Sequence, residues 1–269
     1  MNRLLAILVA LSMAGCAALE PHRDKAVELE QFEKLAADER VRYQAGAEDY
    51  AGRVAEVLPA AIAQVEAGHY RPFAAPVVVY VCATNACFEQ NVPAAGRYTA
   101  AVIYDNRLVL APRLFDREPS RLYPILVHEL SHLHLGQRLG HYTLRIPVWF
   151  HEGLASLVAQ GGGADLVSEE EARRAIAAGE HFMPEETHDE TSRAYADHWR
   201  LKIAMLYRQS MMFLSYLRSA SGEHFRALLE SLQQRAAFDE AFSTAFGAGA
   251  LELARRYFGA LNAPPAASP

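Results

Sequence analysis

The sequence contains few cysteines, and this excludes two kinds of small cross-linked protein. Its 269 residues include three, Cys16, Cys82 and Cys87, whereas a short disulfide scaffold has about one cysteine in every ten residues. No second Cys or His pair lies at zinc-finger spacing from Cys82 and Cys87, so these two residues do not form a structural zinc site. In an exported protein they could form a local disulfide or remain two half-buried thiols, and the sequence leaves both possibilities open.

An excess of positive charge is also missing. The chain has 26 Lys and Arg residues against 32 Asp and Glu residues, a formal net charge of −6. We therefore expect no nucleic-acid partner, because such partners are attracted by a basic surface. Internal repeats and low-complexity segments are absent too. With 51% apolar and 22% charged residues, the composition indicates a globular domain with a sizeable core.

The apolar run near the start is too short for a permanent transmembrane helix, which takes about 20 residues. Arg3 precedes an apolar stretch over residues 4–11, and small residues follow at Ala14 and Gly15. This order is typical of an export signal. We therefore predict a signal peptide over residues 1–15.

The residues Met13-Ala14-Gly15-Cys16 resemble the lipobox of bacterial lipoproteins, in which the cysteine carries acyl chains. The resemblance implies that Cys16 is acylated and anchors the protein in the cell envelope, facing the periplasm, because two or more acyl chains hold a protein stably on a membrane. The residue after the cysteine is Ala17 and not an acidic residue. In the enterobacterial pattern this implies sorting to the outer membrane. The alternative is an ordinary signal peptide with an incidental cysteine.

Helical and strand patterns alternate in the first half of the chain. Residues 27–67 have helical apolar spacing, with Gly46, Gly52 and Pro59 as expected breaks. Residues 77–81 favour a buried strand, because they are β-branched or aromatic. Residues 101–104 and 108–111 favour a hairpin.

From Ser120 onward the pattern is helical. The predicted helices cover residues 120–139, 147–160, 167–179, 193–219, 222–234 and 236–262. Strands followed by helices indicate an α+β fold. We expect an N-terminal helical segment over residues 16–70, a main domain over 71–262 and a frayed tail over 263–269.

One segment has the residue types and spacing of a catalytic metal site. His128 and His132 are four residues apart in a helical stretch, so their imidazoles project from one face and can share one ion. Glu129 follows His128 by about 100° around the helix, which puts its carboxylate beside the ion, where it can act as a general base toward water. A catalytic zinc ion needs a third protein ligand.

The third ligand separates two patterns. A metzincin would have Gly and His at positions that here hold Leu135 and Arg138, so that pattern fails. A gluzincin has a Glu on a second helix, and Glu152 provides one.

With Glu152 as that ligand, the chain is similar to a known family. The residues His128-Glu129-Leu130-Ser131-His132, followed by Pro147-x-Trp149-x-x-Glu152-Gly153-Leu154-Ala155, resemble the bacterial peptidase-MA-like gluzincins, distant relatives of thermolysin. The resemblance extends from about residue 77 to 261. It implies a zincin-like fold, one Zn²⁺ ion and hydrolysis of peptide bonds in proteins or peptides, with Glu129 as acid and base in turn.

The resemblance has further implications. Thermolysin-like enzymes carry an Asp four residues after the ligand Glu to orient a histidine, and Ser156 stands there instead, so the orienting group must come from elsewhere. Gluzincins often use a Tyr or His from a later helix to stabilise the oxyanion; Tyr207 could do this or be a core tyrosine. In zincins a strand before the active-site helix borders the cleft, so substrate could pair with the hairpin at Val102 or Val109.

Other histidines have simpler interpretations. We expect His134 at a surface or packing position and His141 in a loop. His151 either steadies a ligand or is an ordinary buried histidine. His181 and His188 lie in an acidic segment that could bind a cation or border the cleft, although a solvated loop is the simpler interpretation.

A zinc-binding envelope lipoprotein without peptidase activity, acting in binding or assembly, is the alternative function. Glu129 argues against it, because a binding protein has no physical need for a carboxylate beside an open metal position.

Overall fold

A computed structural model describes residues 31–92, 99–104, 107–184 and 195–262. The predicted signal peptide, Cys16 and the tail over 263–269 lie outside these ranges. The described strands are β1 (Glu33–Leu35), β2 (Asp38–Tyr43), β3 (Val79–Val81), β4 (Ala101–Tyr104) and β5 (Arg107–Leu110). The described helices are α1 (Glu48–His69), α2 (Asn85–Asn91), α3 (Arg113–Asp116), α4 (Leu122–Leu139), α5 (Val148–Val158), α6 (Glu169–Ala177), α7 (Ile203–Ala220), α8 (Gly222–Leu232), α9 (Phe238–Phe246) and α10 (Ala250–Asn262).

The fold is α+β, as predicted, with one small mixed sheet and a helical C-terminal half. The strand order is β1-β2-β3-β5-β4. The three central strands run parallel to one another, and the two outer strands pair antiparallel to their neighbours. All three residues of β3 are buried, which explains why its sequence is continuously apolar or aromatic.

The hairpin predicted over residues 101–111 is present. However, the backbone amides of Val102 and Val109, where substrate pairing was expected, are not directed toward its outer edge. Ala111 donates from its amide to the carbonyl of Ala100, and the pair Val102 and Val109 is two residues further along the ladder. Alternate antiparallel pairs exchange hydrogen bonds, so Val102 also faces β5. Val109 lies inside the sheet, and the amides directed away from β5 belong to Ala101 and Ile103.

The predicted helix over residues 27–67 is wrong in its first part. Residues 33–43 form β1 and β2, and helix begins only at Glu48. Local propensity is overridden here by pairing, because Val41 lies opposite Val79 in the sheet and is fully buried. Pro59, an expected break, lies inside α1.

A hydrogen-bonded glutamine connects α1 to the helices that follow the sheet. Gln64 donates from Nε2 to the carbonyl of Val158 over 2.7 Å and accepts from the Tyr123 hydroxyl over 2.7 Å. A Cβ added at Gly68 would lie 2.8 Å from the Val158 side chain, so a glycine permits this close approach of α1 to α5. Helix α1 therefore shares one core with α4 and α5.

The helices observed after Ser120 confirm most of the helical ranges predicted for that part of the chain. The predicted helix over 193–219 begins too early, because α7 starts at Ile203 after Arg200 adopts a left-handed φ of 59°. The helix predicted over 236–262 is two helices, since Gly247, with φ of 71°, ends α9. Helix α2, which was not predicted, follows the Thr84 side chain that caps it.

The two described cysteines are bonded to each other. Cys82, at the end of β3, and Cys87, in α2, form a disulfide, one of the two possibilities that the sequence left open. Among the described residues there is no helix with the length and apolar character needed to cross a bilayer.

Helix α5 approaches α7 closely at a glycine. A Cβ added at Gly153 would lie 2.8 Å from the Ser210 Cβ and 3.0 Å from the Ser210 carbonyl carbon. Backbone atoms cannot rotate away as a flexible side chain does, so the helices would have to separate. Gly153 follows Glu152 directly in α5. The close contact with α7 therefore helps to fix the position of Glu152 in the core.

Replacing Gly153 with alanine is expected to lower the free energy of unfolding by about 1–3 kcal/mol, the usual cost of forcing extra atoms into a packed core. Denaturant titration followed by circular dichroism measures the change. Gly52→Ala is the matched control, because Gly52 is also helical but has no atom within 4 Å of an added Cβ. That variant should be more stable than the native chain by about 0.5–1 kcal/mol. Equal stability of Gly153→Ala and the native chain would contradict the contact.

Candidate metal centre

Helix α4 carries two of the predicted ligands into the core. Its apolar residues are buried on every side, and 13 of its residues, from Leu122 to Leu139, are buried, among them Leu126, Val127 and Leu130. A helix covered on all faces carries polar side chains inward only if they find partners. His128 and His132 are 1% and 8% exposed, one helical turn apart on the same face.

Helix α5 brings in the third predicted ligand. Helix α4 ends at Gly140, a 3-10 segment covers Gly140–Arg145, and Pro147 immediately precedes α5. Proline has a fixed φ and lacks an amide donor, so it fits the start of a helix. Every residue of α5 is buried, and the Glu152 carboxylate points toward α4.

The three side chains meet at one point. The Nε2 atoms of His128 and His132 lie 3.1 Å apart. Oε2 of Glu152 lies 3.3 Å from each of those nitrogens. Apart from these two imidazoles, the buried Oε2 atom has no hydrogen-bond partner among the described residues. The three ligands proposed from the sequence therefore form a nearly equilateral triangle.

The charge of Glu152 is stabilised by this arrangement. Burial by itself would raise the pKa of the carboxyl group, but the two imidazoles together lower it below its ordinary value. The carboxylate is therefore the stable form well below neutral pH. A deprotonated carboxylate is the form that binds a cation.

The triangle has the dimensions of a tetrahedral metal site. Ligand atoms about 2.0–2.1 Å from a tetrahedral zinc ion are about 3.3 Å from one another, close to the three distances here. Two nitrogens and one carboxylate oxygen are also the donor set of catalytic zinc in thermolysin. The residues therefore fit a metal ion with three protein ligands, and one vertex of the tetrahedron is left for water or substrate.

Glu129 is also buried, at 3% exposed. It follows His128 in α4, about 100° further around the helix. Glu129 therefore lies on the same helix as two residues of the triangle and is not one of the three residues that form it.

His151 contacts a ligand, which sequence reasoning treated as one of two possibilities. Its Nε2 atom lies 3.2 Å from Nδ1 of His132, and the ring centroids are 4.2 Å apart. The side chain is 4% exposed. His151 therefore contacts the Nδ1 side of the His132 ring, opposite the nitrogen that faces the triangle.

A glycine-rich turn packs against His128, and sequence reasoning missed this role. A Cβ added at Gly162 would lie 2.9 Å from Cβ of His128, and one at Gly163 would lie 2.6 Å from the Tyr207 ring. The Tyr207 ring is stacked on the His128 imidazole at 5.8 Å. The run of three glycines at residues 161–163 was the available signal in the sequence.

The remaining histidines lie away from the triangle. His134 is buried and its Nε2 lies 3.0 Å from the Arg71 carbonyl, which fits the packing position predicted for it. His141 is exposed and lies in the 3-10 segment after α4. His181 lies 2.9 Å from the Phe182 carbonyl through Nδ1. His188 and its acidic neighbours are outside the described residues.

Comparison with known proteins gives one match. A family model described as the peptidase MA superfamily matches residues 61–262, which include α4, α5 and all three residues of the triangle. No curated protein and no solved structure matches the chain.

Loss of one corner of the triangle is expected to abolish metal binding. We expect about one zinc ion per native chain after dialysis and close to none in His132→Ala or Glu152→Ala, because two ligands hold zinc far more weakly than three. Atomic emission spectroscopy measures the metal content. His141→Ala, an exposed histidine outside the triangle, is the control and should keep its zinc. Full occupancy in His132→Ala would contradict the assignment.

Proposed function

The chain belongs to the peptidase MA superfamily, and on this premise we propose that it is a zinc-dependent metallopeptidase that hydrolyses peptide bonds in proteins or peptides. The observation that carries the proposal is the buried triangle of His128, His132 and Glu152. A site for a structural metal would be closed by a fourth protein ligand. Among the described residues the cluster has three, which supports a catalytic role.

The chemistry divides between the ion and the chain. A bound zinc ion would act as a Lewis acid, polarising the scissile carbonyl and lowering the pKa of water to about 7. Glu129 takes a proton from the attacking water and returns it to the leaving amine. His128, His132 and Glu152 would hold the ion, and they keep their positions because α4 and α5 are packed on all sides.

Glu129→Gln is expected to keep its zinc and to lose peptidase activity by about 10²- to 10⁴-fold, because the amide cannot accept the proton. Cleavage of a peptide library, analysed by mass spectrometry together with zinc content, measures both quantities. Unchanged turnover in a zinc-loaded Glu129→Gln protein would remove Glu129 from its role. A native protein that holds zinc and cleaves no peptide would favour the alternative, a zinc-binding protein without peptidase activity.

We further propose that extended substrate pairs with the free side of β4. This strand is the last in the sheet order, and no other described strand pairs with its outer side. It also packs against α4, the helix of the two histidines. An extended peptide added to this edge would form backbone hydrogen bonds that are largely independent of its sequence. Recognition of extended segments would then be broad.

Ile103→Pro is expected to reduce kcat/KM by about tenfold, the effect of losing roughly 1.4 kcal/mol of hydrogen bonding. Proline removes the outward amide and is tolerated on an edge strand. Ile103→Val, which keeps the amide, should behave like the native protein. Zinc content should be equal in all three proteins. An unchanged kcat/KM in a folded, zinc-loaded Ile103→Pro variant would mean that substrate is held by side chains alone.

For location we propose a lipid-anchored protein of the bacterial cell envelope that faces the periplasm, with acylated Cys16 as its anchor and the outer membrane as its site. The support is the lipobox-like sequence that ends at Cys16. A disulfide between Cys82 and Cys87 is compatible with this proposal, because disulfides persist in the periplasm and are rare in the cytosol.

Mass spectrometry of the mature protein is expected to find Cys16 as the first residue, carrying acyl chains. Cys16→Ser should release the protein from the membrane fraction or leave it unprocessed, because serine cannot be acylated in the same way. Cys82→Ser is the control and should leave membrane partition unchanged. An unmodified N-terminus at any other residue would rule out the lipoprotein proposal.

A further inference from the structure

The second nitrogen of one ligand has a partner, and the second nitrogen of the other does not. Nδ1 of His132 lies 3.2 Å from Nε2 of His151. Nδ1 of His128 is buried and has no hydrogen-bond partner among the described residues. The two ligands therefore differ in how the protein controls their orientation.

The position of the triangle determines which nitrogen of His132 carries its proton. Nε2 of His132 faces His128 and Glu152, and a nitrogen that binds a metal must offer a lone pair. The proton of a neutral His132 is therefore on Nδ1, where it can only be donated. Nε2 of His151 must then be the acceptor, and the proton of neutral His151 is on its own Nδ1.

We propose that His151 is a positioning residue that fixes the tautomer and ring orientation of His132 for metal binding. The inference rests on the proposed function, because it concerns the same metal centre. A metal-bound histidine usually donates its other ring N–H to a carboxylate or carbonyl, and such partners raise metal affinity by about 10- to 100-fold. Here a second imidazole is in that position.

Ser156 does not supply this contact. It occupies the position four residues after Glu152, on the same helix, and is fully buried. Its hydroxyl oxygen has no hydrogen-bond partner among the described residues. His151 instead precedes Glu152 directly, so one rigid helix presents a ligand and also orients the ligand on the neighbouring helix.

The test compares zinc affinity in three variants, measured by competition with a chromophoric chelator. His151→Phe keeps a buried ring but removes the acceptor, and zinc should bind about 10- to 100-fold more weakly. His151→Gln retains an acceptor oxygen near the place of Nε2 and should recover most of the affinity. Ser156→Ala, the matched control on the same helix, should bind zinc like the native protein.

A second measurement separates orientation from packing. With Co²⁺ in place of zinc, the visible absorption spectrum reports the ligand geometry, and we expect it to change in His151→Phe but to remain native-like in His151→Gln and Ser156→Ala. Circular dichroism checks that each variant is folded.

Two outcomes would overturn the inference alone. The first is native zinc affinity in His151→Phe. The second is equal weakening in His151→Phe and His151→Gln, since the hydrogen bond would then be irrelevant. Failure of the native protein to bind zinc would overturn the proposed function and this inference together.

Discussion

The structure is organised around a carboxylate buried between two imidazoles. Removing a charged carboxylate from water costs several kcal/mol unless partners replace the lost hydration, and Glu152 finds those partners on a different helix. The relative position of α4 and α5 is therefore constrained, because Glu152 on α5 must reach both imidazoles on α4. Gly153 allows α7 to approach α5 from behind, and the turn at Gly162 and Gly163 supports His128 from the side. The close contacts of the core thus converge on the position of one side chain.

The sequence predicted which three side chains come together better than it predicted the strands around them. His128 and His132 could be recognised because their spacing is a local property of one helix, and Glu152 because it lies in a distinctive family pattern. Strands β1 and β2 could not be recognised, since β2 becomes a strand by pairing with β3, which is far away in sequence, and β1 by pairing with β2. The turn at Gly162 was missed for the same reason, because its contact with His128 is made only in the folded chain.

A second pair of histidines shows how strongly surroundings decide what a residue does. His69 lies 2.7 Å from the Ser131 hydroxyl through Nε2, and its ring is 4.3 Å from that of His134. Burial, together with the neighbouring His134, lowers the pKa of His69 well below its usual value, and burial also lowers the pKa of His134. These imidazoles are therefore neutral packing groups, although Ser131 is adjacent to the ligand His132. Among the described residues, the cluster that could hold a metal ion does not include His69 or His134.

Strands from both sides of residue 61 belong to one sheet, and this has a consequence for any shortened form of the chain. The family match begins at residue 61, in the middle of α1 and after β2. A fragment cut at that point would lose the strand that covers one side of β3 and half of the helix that covers α4. The exposed backbone of β3 is a short, wholly apolar and aromatic edge, the kind of edge that pairs with other chains. Such a fragment would retain every residue of the triangle and still aggregate, because residues 33–60 protect the sheet against which the helices of the triangle pack.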